Sequence, residues 1–167
     1  MQTERQAAMK VMLQADLIER LRQAAMAARE QAYAPYSNFK VGAAVLDEQG
    51  RIHAGCNVEN AAYPQGVCAE AGALSALVLA GGRSVQAVLV VADTGAGTSN
   101  PASPSAVTPC GGCRQKLREF AADDVPVLSA DMGGRLDHYT LGQLLPASFG
   151  PQHLAHATSL LQGRGRP

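Results

Sequence analysis

Two short motifs constrain this chain more than anything else in it: Cys68-Ala69-Glu70 and, starting 42 residues after the first cysteine, Cys110-Gly111-Gly112-Cys113 with Pro109 before it. Three thiolates can hold a zinc ion and leave a fourth coordination position for water. A carboxylate two residues from the first thiol can move protons at that position. A lone C-x-x-C carries little information, whereas its combination with an upstream C-x-E and a preceding proline is specific. Each motif stands at the predicted start of a helix, where unpaired N–H groups and the helix dipole favour negative charge and are expected to lower thiol pKa values. One shared metal therefore requires two helix N-termini to meet.

Three thiolates around a dication leave one net negative charge and one open position, the arrangement of a catalytic site rather than a closed one. So many thiolates weaken the acidification of a bound water, and Glu70 is the candidate proton acceptor. The competing reading is a structural four-cysteine zinc site with Cys56 as fourth ligand. Cys56 has no partner at C-x-x-C spacing, and that reading leaves Glu70 without a role; as a small buried hydrophobe Cys56 needs none. His53, His138, His153 and His156 show no ligand spacing beyond the last pair, which reads as a surface accident.

Composition narrows the function classes. The 14 basic residues balance 14 acidic ones, so the positive excess that tracks a polynucleotide backbone is missing and the expected substrate is small. Met1 to Glu30 carries charge at regular intervals and reads as neither signal peptide nor membrane span. Without an export signal, four cysteines read as reduced thiols of a cytoplasmic protein. A length of 167 residues fits a single domain, with 1–15 as a possible extension and 150–167 as a C-terminal tail that frays from Gly163 to Pro167.

Periodicity predicts a helix over Asp16 to Ala32, with Leu17, Leu21, Ala24, Ala25 and Ala28 on one face and a helical, loosely held stretch before it. Pro35 ends that helix. Lys40 to Leu46 and Arg51 to Val58 read as a hairpin around Asp47-Glu48-Gln49-Gly50. Helices follow over Cys68 to Leu79 and Cys110 to Phe120, and a helical turn over Thr140 to Leu145. Gln86 to Ala92 reads as a central buried strand, with Val125 to Ser129 and Arg135 to Tyr139 as the fourth and fifth strands. Thr94 to Val107, rich in Gly, Ser, Thr and Pro, reads as a flexible loop, either a tolerated insertion or a lid beside Pro109. The alternation of elements predicts an α/β chain, a mixed sheet between helices.

Further motifs stand in order along the chain. They are Ala34-Pro35-Tyr36-Ser37-Asn38-Phe39-Lys40-Val41-Gly42-Ala43-Ala44, Gly55-Cys56-Asn57-Val58-Glu59-Asn60-Ala61-Ala62-Tyr63 and Leu144-Leu145-Pro146-Ala147-Ser148-Phe149. With the thiol motifs, close to the zinc-deaminase signature, they make the chain similar to the cytidine deaminases of the small, homotetrameric, three-cysteine type, from about Ala32 through Phe149. The resemblance implies a three-layer α-β-α fold with a mixed five-stranded sheet. It implies zinc held by Cys68, Cys110 and Cys113, with Glu70 as proton shuttle. Asn57 and Glu59 would bind the ribose 3′-hydroxyl and Phe39 would stack on the pyrimidine. The Ala69 backbone would read the ring carbonyl, the Thr108 carbonyl would read the amino group, and Phe149 would enter a neighbouring subunit's site. The implied reaction is hydrolytic deamination of cytidine and 2′-deoxycytidine in pyrimidine salvage: a metal-activated water attacks C4 while Glu70 protonates N3 and then the leaving nitrogen.

One departure stands out. Many members of that family carry Arg directly after the glutamate, where it offsets thiolate charge, and this chain has Ala71. The offset is then left to helix N–H groups, the helix dipoles and Arg114. Rival readings are a deaminase of another aminopyrimidine nucleoside such as an aminoacylnucleoside antibiotic, an enzyme acting on a base within a nucleic acid, and a non-catalytic zinc-stabilised binding protein. The Asn57/Glu59 pair, the neutral charge with Cys68 rather than His as first ligand, and Glu70 argue against them in turn.

Overall fold

The computed structural model describes residues 2–93 and 106–154, and side chains from residue 14 onward. Helix α1 (Gln2–Glu30) is continuous, so the predicted helix and the stretch before it form one element. It ends two residues earlier than expected, in a tight turn where Gln31 and Ala32 N–H groups reach back to Ala28 and Arg29. Strands β1 (Val41–Asp47) and β2 (Ile52–Cys56) form the expected hairpin. Helix α2 (Ala69–Leu79) precedes β3 (Val85–Ala92), and α3 (Gly111–Arg118) leads to β4 (Pro126–Ala130), β5 (Leu136–Thr140) and the short α4 (Leu141–Leu144). Two three-residue 3-10 turns, Tyr63–Gln65 and Pro151–His153, had no counterpart in the periodicity. The predicted Thr94 loop as far as residue 105 and the tail from Gly163 lie outside the described residues.

The five strands run in the order β2-β1-β3-β4-β5. Only β3 and β4 pair in parallel, because α3 supplies the crossover a parallel connection needs. The other neighbours are antiparallel, so the sheet is mixed as predicted. Strand β3 sits at the centre, and its run of apolar residues reflects burial on both faces. Alternation sorts its side chains: Val88 and Val90 join Leu77 and Leu117 of α2 and α3, whereas Leu89 and Val91 meet Leu21 and Ala25 of α1. Helix, sheet and helix thus form three layers. Full burial of Leu77 and of Leu117 contributes about 1.5–3 kcal/mol each, anchoring both helices that carry cysteines.

Two glycines set how closely the helices approach. A Cβ on Gly42 would collide with the Ala25 carbonyl of α1, and one on Gly55 with Ala69 O and Ala73 N of α2. The predicted second strand extends to Val58, but β2 stops at Cys56. Beyond it Asn57 turns inward, and Val58 forms bridges to Tyr33 and Val67 instead of continuing the hairpin.

Candidate metal centre and substrate pocket

Cys68 is the N-cap of α2 and Cys110 the N-cap of α3, both in extended conformation, with Cys113 on the first turn of α3. The two helix starts meet, and the three sulfurs lie within 4.8 Å of one another. Cys68 Sγ and Cys110 Sγ are 3.9 Å apart. Zinc–sulfur bonds of about 2.3 Å place tetrahedral sulfurs about 3.8 Å apart, so the donor set fits that ion. Cys113 is buried, while Cys68 and Cys110 are open to the pocket side. Among the described residues Cys56 is not part of the cluster, which removes the proposed fourth ligand of a closed structural site. Glu70, on the first turn of α2, is buried, and its Oε2 accepts from Cys113 Sγ at 3.3 Å.

The thiols do not titrate alike. Burial pushes Cys113 far up, and the Glu70 charge adds to this. Burial also raises Cys68, with repulsion from Cys110 and Glu70. At Cys110 burial acts upward too, but hydrogen bonds from the Cys113 backbone and from the neighbouring thiols outweigh it and bring the group below its ordinary value. Helix starts were expected to lower all three, and only Cys110 obeys. Three thiols crowded together do not all ionise easily, a balance that a bound dication reverses.

The cluster forms one wall of a cavity of about 590 Å³. Phe39, Asn57, Glu59, Ala69, Glu70 and Thr108 all line it, so the structure gathers these predicted residues from four separate segments. Phe39 is 40 % exposed, an aromatic face kept open rather than packed away. Asn57 accepts from Val41 N at 2.8 Å and donates to Phe39 O at 2.9 Å, so the same amide that faces the cavity pins the segment carrying Phe39. Glu59 accepts from Tyr36 N at 2.8 Å, Ser37 N at 3.2 Å and the Ser37 hydroxyl. Those bonds, that of the hydroxyl foremost, hold its carboxyl below the usual range.

Phe149 is not brought to this cavity. It is 57 % exposed and stacks on His153 with ring centroids 5.1 Å apart, while Gln115 of α3 donates to its carbonyl.

A model of the cytidine and deoxycytidylate deaminase zinc-binding region matches residues 15–129. The chain is 43 % identical over 140 residues to a cytidine deaminase of Sporosarcina psychrophila, covering 84 % of this chain and 96 % of the relative. The chain belongs to the cytidine deaminase family. A cytidine deaminase of Mycobacterium tuberculosis is 39 % identical over 134 residues, 78 % of this chain and 87 % of the relative. The crystal structure of the Burkholderia pseudomallei cytidine deaminase superposes with a TM-score of 0.69 at 42 % identity, covering 78 % of this chain and 98 % of that one. The three-layer sheet is thus the deaminase fold, and zinc is the cofactor of this family's cysteine cluster.

Two side chains beside the cavity have partners that the motif reading did not give: Ser37, to which it assigned no role, and Arg114, which it read as a charge offset. Ser37 connects Glu59 to the Phe39 backbone. Arg114 donates to Pro109 O at 2.7 Å, Leu144 O at 2.8 Å and Thr108 Oγ1 at 2.9 Å, clamping the segment that enters α3. Its expected role as a charge offset is not what its hydrogen bonds serve, since all three go to oxygen rather than sulfur. Ser37 stood in view beside Phe39; no signal in the sequence could have pointed Arg114 at residues five to thirty positions away.

Proposed function

We propose that this chain hydrolyses the C4 amino group of cytidine and 2′-deoxycytidine, giving uridine or 2′-deoxyuridine and ammonia, in cytoplasmic pyrimidine salvage. One observation carries the reading: a buried carboxylate and three convergent thiols lie at one side of a nucleoside-sized cavity whose other side presents Phe39, Asn57 and Glu59.

Cys68, Cys110 and Cys113 would hold zinc, which supplies an activated water when bound. Glu70 would accept a proton from the water that adds to C4 and pass it to ring N3. It would then move the proton of the new C4 hydroxyl to the exocyclic nitrogen, so that the C4–N bond breaks, ammonia leaves and the C4 carbonyl forms. Its burial beside Cys113 places the carboxylate at the cluster and keeps bulk water from competing for the proton. Phe39 stacks on the pyrimidine, worth about 1–3 kcal/mol by comparison with base–aromatic stacking elsewhere. The Ala69 backbone and the Thr108 carbonyl read the carbonyl and amino edges of the ring. Asn57 keeps one N–H and one lone pair beyond its two backbone bonds, and Glu59 keeps one lone pair on Oε1; together they hold the ribose 3′-hydroxyl. Phe149, exposed and away from its own cavity, completes the site of a neighbouring copy in a homotetramer.

The test incubates zinc-loaded protein with cytidine and follows ammonia and uridine, with Glu70→Gln alongside. The amide matches the carboxylate in size but cannot take the proton, so turnover is expected to fall by about 10²–10⁴-fold at unchanged zinc content. A Glu70→Gln variant within tenfold of the parent would remove Glu70 from the role.

A further inference from the structure

We infer that Ser37 is a positioning residue for ribose recognition, acting through Glu59 rather than touching the sugar itself. This rests on the nucleoside reading above and deepens it. The Ser37 hydroxyl has one hydrogen and two lone pairs. Phe39 N–H occupies one lone pair at 3.0 Å, which turns the hydroxyl hydrogen towards Glu59 Oε1. Tyr36 N and Ser37 N take Glu59 Oε2 at 2.8 and 3.2 Å. Both carboxylate oxygens are therefore fixed by donors from a single turn; two donors fill Oε2, and Oε1 keeps one lone pair for a ligand in the cavity that Glu59 lines.

The turn itself is built to hold this arrangement. Asn38 takes a left-handed conformation with φ of 57°, which an asparagine tolerates better than most residues. Its N–H closes back on Ala34 O at 3.0 Å. That conformation carries the chain around so that Ser37 Oγ meets Phe39 N and the Glu59 carboxylate together. With the hydroxyl in place, Glu59 is an ionised acceptor held in one orientation, and a sugar hydroxyl finds it preorganised. With the hydroxyl removed, Oε1 loses its one hydrogen-bond partner among the described residues, and the carboxylate is held by the Tyr36 and Ser37 N–H groups at Oε2 alone, about which it can pivot.

The experiment measures KM and kcat for cytidine and for 3′-deoxycytidine with the parent, Ser37→Ala, Ser37→Thr, Glu59→Ala and the Ser37→Ala/Glu59→Ala pair. Losing a hydrogen bond to a charged group is expected to raise the cytidine KM of Ser37→Ala about tenfold at nearly unchanged kcat. On 3′-deoxycytidine the same variant should lose about threefold or less, since there is no 3′-hydroxyl for Glu59 to hold. Ser37→Thr keeps the hydroxyl and should restore the cytidine KM. In the Glu59→Ala background Ser37→Ala should add nothing, the mark of one residue acting through another. Equal losses on both substrates, additive losses in the double variant, or no loss at all would overturn the inference while leaving the deaminase reading intact. A parent protein that turns over neither nucleoside despite full zinc loading would overturn the reading, and this inference with it.

Discussion

Replacing Gly55 with alanine should separate the two halves of the metal centre. An added Cβ would sit 2.5 Å from Ala69 O and 2.7 Å from Gly72 C, and closer still to Ala73 N, all backbone atoms of α2 or its first turns. Ordinary contact lies near 3.5 Å, so α2 must retreat from β2 by about 1 Å. That helix carries Cys68 at its cap and Glu70 on its first turn, whereas Cys110 and Cys113 ride on α3, which the new methyl does not touch. Metal–ligand distances tolerate only about 0.2 Å, far less than the displacement. Overpacking of this kind costs about 1–3 kcal/mol, which for a chain of this size lowers the melting temperature by about 2–4 °C per kcal/mol. Zinc affinity should fall at least about tenfold, the lower end of what disturbed ligand support costs. Competition against a chromogenic chelator reads the affinity, and melting with and without zinc separates it from stability. If Gly55→Ala binds zinc as tightly as the parent and melts at the same temperature, the claim that close β2–α2 contact positions this site is wrong.

Two further outcomes follow from side chains that are not among the cysteine ligands. Asp47 is buried, and Gln49 N, Arg51 N, Arg51 Nε and His53 Nε2 all lie 2.7–2.9 Å from its carboxylate. Burial alone would raise its pKa, but these bonds outweigh it and hold the group well below the carboxylate range. Its contribution is therefore complete above the unfolded value of about 3.9 and lost as pH falls towards the folded one. Urea midpoints measured from pH 5 to pH 2 should fall less steeply in Asp47→Asn than in the parent, and parallel curves would refute this. Arg114→Met removes three bonds to oxygen from a half-buried clamp and should cost about 1–3 kcal/mol in thermal unfolding. Arg114→Lys should recover little of it, because one ammonium cannot span a fork of three acceptors; full rescue would mean that charge rather than geometry matters there.

The parts of this protein legible in one dimension are those that depend on near neighbours in the chain. Helix starts at Cys68 and Cys110, the hairpin around Asp47, the central strand before Ala92 and the ligand spacing all follow from local pattern. Phe39, Asn57, Glu59, Ala69 and Thr108, which the resemblance to the cytidine deaminases implied, also line the cavity. What local pattern could not supply is how distant groups divide one small volume. Cys113 is the buried thiol of the three, and that burial, with the charge of Glu70 from 43 positions away in the chain added to it, raises its pKa. Arg114 turns to oxygens rather than thiols because the end of α4 arrives beside it. Asn57 leaves its strand because its amide is drawn to Phe39 and Val41. Sequence alone marked out the candidate groups, since residue type and spacing are local. Tertiary structure decided their charge, orientation and partners, because burial and hydrogen-bond competition act through space between segments remote in the chain.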